Sequence, residues 1–261
     1  YRNNMDGLLT LLEFAQAFGI QNFVFSSSAT VYGAPTALPV TEQTPLAEPA
    51  SPYGATKLFA EQILQSVANA YKEFRCLALR YFNPIGAHPS AEIGELPIGV
   101  PQNLVPYITQ TAIGLREKLS VFGDDYPTSD GTCIRDYIHV VDLAKAHVIA
   151  LQRLLESKNP ENYEVFNVGT GVATDVITVA TELSKNYGIQ VPITISGNYR
   201  LGDIRHNYAD ITKAIQLLGF EPKISFKEGL KQFTDWVNTQ EVEEDKYQQS
   251  IEEMKAKGLY K

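Results

Sequence analysis

The chain opens in a helical rhythm. Leu8, Leu11, Leu12 and Ala15 fall at i, i+3, i+4 and i+7, and Gly19 stops the pattern, which predicts an amphipathic helix over residues 1–18. The period then changes. Residues 22–26 read as a short apolar strand, centred on Phe23, Val24 and Phe25, that opens into the hydroxyls Ser26, Ser27 and Ser28. A loop with Pro35, Pro39, Pro45 and Pro49 follows; it is long for a plain connection and so is placed to cover a site. Ser51 and Pro52 begin a second helix, with Phe59, Ile63, Leu64 and Val67 along it as far as about residue 71. The run 76–81 is apolar enough to be a central strand.

Beyond it the elements shorten. Residues 94–101 are Gly/Pro-rich and irregular. Helix is predicted over 103–114 and strand over 119–122, ending at Gly123. A polar loop, 124–132, leads into mixed strand and turn at 134–141. Asp142 is the predicted cap of a helix running to about 155. A strand and turn at 164–171, a helix at 178–187, a strand at 191–196 and a helix at 210–218 ending at Gly219 come next. Phe226, Leu230, Phe233 and Trp236 form the buried face of a helix over 225–238. The charge-rich tail, 240–261, reads as a surface helix. Strands alternating with helices predict an α/β fold with a doubly wound (Rossmann-type) parallel sheet, and the short strands after about residue 86 a smaller C-terminal α/β lobe.

Composition narrows the function classes. With 261 residues, 44% hydrophobic and 20% charged, the chain is long enough for a large domain with a real core. The formal net charge of −8 argues against a general nucleic-acid or anionic-membrane binder, so an anionic small ligand would need local arginines. No apolar run approaches the ~18 residues that span a bilayer. Two cysteines, Cys76 and Cys133, lack metal-ligand spacing, and with four histidines and no His-x-x-x-His pair no metal site is expected. The expected compartment is reducing and cytoplasmic.

The chemistry-bearing stretch is Ser51-Pro-Tyr-Gly-Ala-Thr-Lys57. Tyr53 and Lys57 stand four residues apart on one helix face. A phenol that acts as a base near neutrality needs its pKa lowered by about three units, or roughly 4 kcal/mol. One cation about 4 Å away, at an effective dielectric near 20, supplies about that much. The spacing alone also fits a solvated helix face, since fourteen tyrosines make about one chance Tyr-x-x-x-Lys expected. The serines upstream change the picture, because chemistry in open parallel sheets sits at the carboxyl ends of strands. Gly169-x-Gly171 lacks a third glycine and reads as a tight turn rather than a phosphate loop.

Ser…Tyr-x-x-x-Lys is the proton-handling set of the extended short-chain dehydrogenase/reductases, and the chain resembles that superfamily. Further segments sharpen the likeness: Phe25-Ser-Ser-Ser-Ala-Thr-Val-Tyr-Gly33, Leu79-Arg-Tyr-Phe-Asn-Pro-Ile-Gly-Ala-His-Pro89, Asn103-Leu-Val-Pro-Tyr107, Phe122-Gly-Asp-Asp-Tyr-Pro-Thr-Ser-Asp-Gly-Thr132 and Arg135-Asp-Tyr-Ile-His-Val140. With these the sequence is similar to the UDP-glucose (UDP-galactose) 4-epimerase family. The family's glycine-rich opening, roughly its first ninety residues, has no counterpart here. The resemblance implies that residues 1–84 and 133–182 are the C-terminal half of an NAD-binding Rossmann domain, and that 85–132 and 183–261 bind the UDP-sugar.

By the same resemblance the catalytic set is Tyr53 (base at the sugar 4-hydroxyl), Lys57 and Ser28. Asn3, Ser28, Tyr53, Lys57 and Phe82 would face NAD. Ser28, Tyr53, Tyr81, Asn83, Asn103, Leu104, Ser120, Phe122, Arg135, Arg200 and Asp203 would face UDP-glucose or UDP-galactose. Arg135 and Arg200 suit bidentate contacts with the diphosphate, although an arginine taken blind is more often in a surface ion pair. Phe122 is equally consistent with a core residue. Position 207 is Asn, and bulk near there bears in the family on whether an N-acetylated sugar fits. A homodimer through helices of the nucleotide half is also implied. Two other readings stay open. One is a nucleotide-sugar 4,6-dehydratase or pentose 4-epimerase, against which Ser28-Ala29 stands where a dehydratase carries Asp-Glu. The other is a chain that binds UDP-sugar without chemistry.

Overall fold

A computed structural model describes residues 1–49, 51–95, 101, 104–121, 123, 126, 128, 130–195 and 206–240. Helix α1 (Arg2–Ala17) leads through Gly19, whose φ of 66° suits a residue without a side chain, into strand β1 (Asn22–Ser28). A 3-10 turn (Ala29–Tyr32) and the proline loop precede α2 (Pro52–Ala70), β2 (Arg75–Tyr81), β3 (Asn83–Ile85), α3 (Leu104–Ala112) and β4 (Leu119–Val121). Then come β5 (Ile134–Arg135), β6 (Tyr137–His139), α4 (Val140–Leu155), β7 (Tyr163–Val168), β8 (Thr174–Asp175) and α5 (Val176–Tyr187). Strands β9 (Ile193–Ile195) and β10 (His206–Asn207), a π-helical turn (Ala214–Leu218) and α6 (Phe226–Val237) complete the described chain.

Strands β1, β2 and β7 form a parallel sheet in that order, with β2 in the middle. Side chains of β2 alternate between two buried faces, which is why its centre, Cys76 to Leu79, is apolar on both. Cys76 packs with Leu8 of α1 and with Ala60, Leu64 and Ala68 of α2. Leu77 and Leu79 pack on the opposite face with Leu143, Ala146, Ala150 and Leu154 of α4. A fully buried leucine such as Leu64 or Leu79 contributes about 2 kcal/mol. A separate cluster joins α3, α5, α6 and β4 through Ile108, Leu119, Val179, Leu183, Leu230 and Phe233.

The proline loop is stitched in place rather than draped. Val40 bridges to Ala209, the Val40 amide donates to the Tyr208 carbonyl (3.0 Å), and the Asn167 amide donates to the Val40 carbonyl (2.9 Å). The loop thus ties the end of β7 to the segment after β10.

Several elements differ from the sequence reading. Strand β1 runs on through Ser28, because pairing with β2 continues as Ser26↔Leu79, Ser27↔Arg80 and Ser28↔Tyr81. Leu11 is 59% exposed, so the inward stripe of α1 is narrower than its periodicity suggests. His139, not Asp142, caps α4: its Nδ1 accepts from the Val141 amide (3.2 Å). The buried Asp142 carboxylate instead accepts from the Lys223 and Ile224 amides (2.7 and 2.8 Å), fastening the approach to α6. The 214–218 segment is π-helical rather than α-helical. The expected tail helix over 240–261 lies, but for Gln240, outside the described residues. Among the described residues no helix is long and apolar enough to cross a membrane.

Candidate active site

The start of α2 is built to hold its second residue still. Ser51 has extended φ/ψ and its Oγ accepts from the Gly54 amide at 3.1 Å, while Pro52 occupies the first helical position, where no N–H is needed. Tyr53 therefore projects from a capped helix end toward the carboxyl end of β1. Ser28 closes that strand. It is 7% exposed, and its Oγ accepts from the Thr30 amide at 3.2 Å, which turns the chain into the 3-10 segment.

The three residues expected to act together are together. The Tyr53 phenol lies close enough to Ser28 for that hydroxyl to pull its pKa down. The Lys57 ammonium lies 5.6 Å from the Tyr53 ring centroid and 5.1 Å from the Phe25 ring, and donates to the Ser26 carbonyl at 2.8 Å. The sequence argument expects Tyr53 to be a lowered phenol, and here the structure differs. Burial pushes its pKa up and the Ser28 hydrogen bond pulls it only part of the way back. Tyr53 is 46% exposed, so water screens the Lys57 charge beside it. Burial also lowers the Lys57 pKa.

Other expected residues lie around this centre. Tyr81, half-buried at the end of β2, feels the Tyr53 phenol, and its own pKa is raised by burial and then by that neighbour. Phe82 is buried under the 3-10 turn with Tyr32 and Ala209. Asn83 is exposed at the start of β3. Asn3 is exposed on α1 and donates to Asn4; Asn4 makes the link to α2, donating to Thr56 Oγ1 at 3.0 Å. Leu104 begins α3 and packs against the cluster of α3, α5 and α6, while Ser120 sits in β4 between the buried Leu119 and Val121. Arg135 pairs laterally with Asn207 across β5 and β10, and Asn207 donates to the Ala29 carbonyl (3.3 Å). Arg135 itself donates to the Ile134 carbonyl at 2.9 Å. Asn103, Phe122, Arg200 and Asp203 lie outside the described residues.

Comparison with known proteins decides what this arrangement belongs to. Residues 1–233 match the family model described as GDP-mannose 4,6 dehydratase. UDP-glucose 4-epimerase 2 of Arabidopsis thaliana is 46% identical over 238 residues, which is 91% of this chain and 67% of the relative. UDP-glucose 4-epimerase of Bacillus subtilis is 49% identical over 228 residues, 87% of this chain and 66% of the relative. The solved UDP-glucose 4-epimerase of Bifidobacterium longum, in complex with NAD+ and UDP, superposes with a TM-score of 0.84 at 42% identity, covering 91% of this chain and 70% of that one. The chain belongs to the UDP-glucose 4-epimerase family. It spans about two thirds of the length of these relatives.

Within the epimerase frame, several residues the sequence reading passed over shape the site from beneath. Ser26 Oγ pairs with His147 Nε2 at 2.8 Å, and His147 Nδ1 meets the Leu143 carbonyl at 2.9 Å, so Nδ1 carries the proton and Ser26 donates. Glu61, one turn beyond Lys57, forms a buried ion pair with Arg80 and accepts from Ser27. Asp136 gathers four donors: the Thr170 amide and hydroxyl and the Gly171 and Ala209 amides. One signal was available for Glu61 and Arg80. A charged residue inside a helix face otherwise buried, opposite one inside a central strand, implies a partner.

Proposed function

We propose that this protein interconverts UDP-glucose and UDP-galactose through a 4-keto intermediate, as an NAD-dependent isomerase of its family. The observation that carries the proposal is the convergence of Tyr53, Ser28 and Lys57 at the carboxyl end of β1. Relatives 46–49% identical are named UDP-glucose 4-epimerases.

The residues fit the cofactor. An ammonium has three N–H donors, and Lys57 gives one of them to the Ser26 carbonyl, which leaves donors for a ribose diol. Asn3, Phe82, Ser28 and Tyr53 would complete the nicotinamide side. NAD supplies a reversible hydride acceptor at the sugar C4 and, when oxidised, a positive charge there.

In this reading Tyr53 takes the 4-hydroxyl proton and later returns it. The phenol, held up by burial, suits the second half of that task; Lys57 and the Ser28 hydroxyl favour the anion needed for the first. Ser28 also orients the 4-oxygen. The sugar has to present both faces in turn, so the grip belongs on the nucleotide. Tyr81, Asn83, Asn103, Leu104, Ser120, Phe122, Arg135, Arg200 and Asp203 are assigned to UDP-sugar binding. Exposed Leu9, Leu11, Phe14 and Phe18 of α1, with Phe59 of α2, support a homodimer through these helices. Cys76 and Cys133 are both free thiols, which accords with a reducing, cytoplasmic setting.

The test is conversion of UDP-galactose to UDP-glucose by the full-length gene product and by its Tyr53→Phe variant. The variant should lose turnover by 10²-fold or more, on the order expected for a general base, yet keep UDP affinity. Normal turnover by Tyr53→Phe overturns the assignment. A 4-keto-6-deoxy product would favour the dehydratase reading suggested by the family model's description. UDP binding without turnover on added NAD would favour a binding protein.

A further inference from the structure

Three elements that carry the active-site residues meet at one buried ion pair. Glu61 lies on α2, eight residues after Tyr53 and four after Lys57, on the same side of the helix. Its Oε1 accepts from Ser27 Oγ (2.5 Å) and Arg80 Nε (2.9 Å), and its Oε2 from Arg80 Nη2 (2.5 Å). Arg80 Nη1 donates to the Tyr32 hydroxyl at 3.1 Å, and its guanidinium lies 5.0 Å from the Tyr32 ring centroid. Ser27, Glu61 and Arg80 are 0, 3 and 4% exposed. Ser27 and Arg80 are register partners across β1 and β2, so their side chains leave the sheet on the same face, the one α2 covers.

Ser27 stands between the two residues that α2 must meet. Ser26 offers its carbonyl to Lys57 at 2.8 Å, and Ser28 ends β1 beside the Tyr53 phenol. Both contacts form only if α2 sits at one height and one rotation over β1. Apolar packing of Ala60, Leu64 and Ala68 is non-directional and tolerates a slide. A carboxylate with donors from two strands does not. A buried ion pair is weak evidence for stability, because apolar residues of similar volume often replace one without loss. What they do not replace is directional registry.

The geometry points to Glu61 and Arg80 as positioning residues: with Ser27 they set the register of α2 on β1, so that Tyr53 meets Ser28 while Lys57 meets Ser26. The inference rests on the proposed Tyr53 chemistry. Neither residue touches substrate in this account; both act through the helix.

The experiment uses full-length enzyme with NAD and UDP-galactose, and measures kcat, KM, the pH profile of kcat and the melting temperature. Glu61→Gln keeps the shape but drops the charge. It should lower kcat about tenfold at an unchanged KM, since uridine binding does not depend on this register. The rise of kcat with pH should move to higher pH as Lys57 and Ser28 act less well on the phenol. Glu61→Asp, which keeps the carboxylate, should recover part of kcat and of the profile. If Glu61→Gln does not fold, the Glu61→Leu/Arg80→Leu double variant removes the pair without leaving a buried charge, and should show the same kcat loss and pH shift in a folded protein. A folded Glu61→Gln or double variant with wild-type kcat and pH profile, whatever its melting temperature, overturns the inference. Failure of the functional reading looks different: the unsubstituted enzyme itself would not turn over.

Discussion

The Lys57 ammonium donates to the Ser26 carbonyl at 2.8 Å and so leans toward the strand end that Tyr53 faces. In the proposed mechanism its charge, together with the Ser28 hydroxyl, favours a phenolate. With burial holding the phenol up, the base form of Tyr53 grows as pH rises, and kcat should rise with it. Burial also lowers the Lys57 pKa, so the cation is lost earlier than for an exposed lysine and kcat should fall again on the alkaline side. Lys57→Met should cut kcat by about 10²-fold and push the rising limb to higher pH. Lys57→Arg keeps charge but places a planar fork where a point charge sat, and should recover only part. A kcat–pH profile of each variant in full-length enzyme checks this; an unmoved rising limb in Lys57→Met excludes a role for the cation.

Asp136 should be costly to replace by its amide. On one side it accepts from the Thr170 amide and hydroxyl (2.8 and 2.6 Å), on the other from the Gly171 and Ala209 amides (2.9 and 3.2 Å). Asn has one acceptor face, so whichever way Asp136→Asn turns, an NH2 meets two donors. The expected loss is about 3 kcal/mol in urea unfolding, from buried donors left unpaired. Burial raises the Asp136 pKa against those hydrogen bonds. A raised folded pKa means that this titration favours the fold most below the unfolded carboxyl value of about 3.9, a contribution lost as pH rises through the folded value. Stability of the variant should lack that component in acid titrations.

The local pattern went far in this chain because its helices announce their ends. Ser51-Pro52, Ser225 and Gly188 mark boundaries by capping chemistry that depends on a few neighbouring residues. Phe226, Leu230, Phe233 and Trp236 show the face of α6 for the same reason. Long-range partners were not legible. Asp142 looks like an N-cap, and only the fold brings Lys223 and Ile224 to it. Gly169-x-Gly171 reads as a turn, but not that the turn closes on the Asp136 carboxylate, whose Oδ2 would sit 2.5 Å from a Cβ added at position 169. At the site, the Tyr53–Lys57 spacing follows from helix geometry alone, whereas the Ser26–His147 and Glu61–Arg80 pairs join residues 121 and 19 positions apart.

Asp175 is a simpler case of a charge at a helix start. Its carboxylate accepts from the Thr178 amide (2.6 Å) and hydroxyl (2.8 Å) and caps α5. Burial raises its pKa, but the Thr178 hydrogen bonds, with a further one involving the neighbouring Asp130 carboxyl, outweigh that and the net shift is downward. A depressed folded pKa means a contribution present above the unfolded value, about 3.9, and lost as pH falls through the folded one. Asp175→Ala should cost about 1 kcal/mol at pH 7, and Asp175→Asn much less, since Asn caps nearly as well. Near pH 3 the gap between wild type and Asp175→Asn should narrow. Thermal unfolding at the two pH values checks it; equal losses at both would mean that the carboxylate's charge plays no part.

Tyr32 supplies the matching test on the alkaline side. Its hydroxyl donates to Asn167 Oδ1 at 2.6 Å and accepts from Arg80 Nη1 at 3.1 Å, with the ring wholly buried beside Phe82. Asn167 in turn holds the proline loop: its side chain donates to the Val40 carbonyl, and its backbone amide donates to Glu42 Oε1 at 2.7 Å. Burial, opposed by Arg80, pushes the Tyr32 pKa up to about 12. The phenol is therefore held protonated in the fold more firmly than in the unfolded chain, where it titrates near 10. Its contribution should be complete below about pH 10 and be lost between there and about 12, amounting to about 3 kcal/mol across that window. Tyr32→Phe removes the titration, leaves Asn167 Oδ1 without its donor and should cost about 2 kcal/mol at pH 8. Above pH 10 its stability should fall less steeply than that of the wild type, so the two curves converge. Urea unfolding from pH 8 to 11 measures both slopes. Parallel curves would show that the Tyr32 hydroxyl is not a donor whose loss the fold resists, and that Asn167 holds the loop without it.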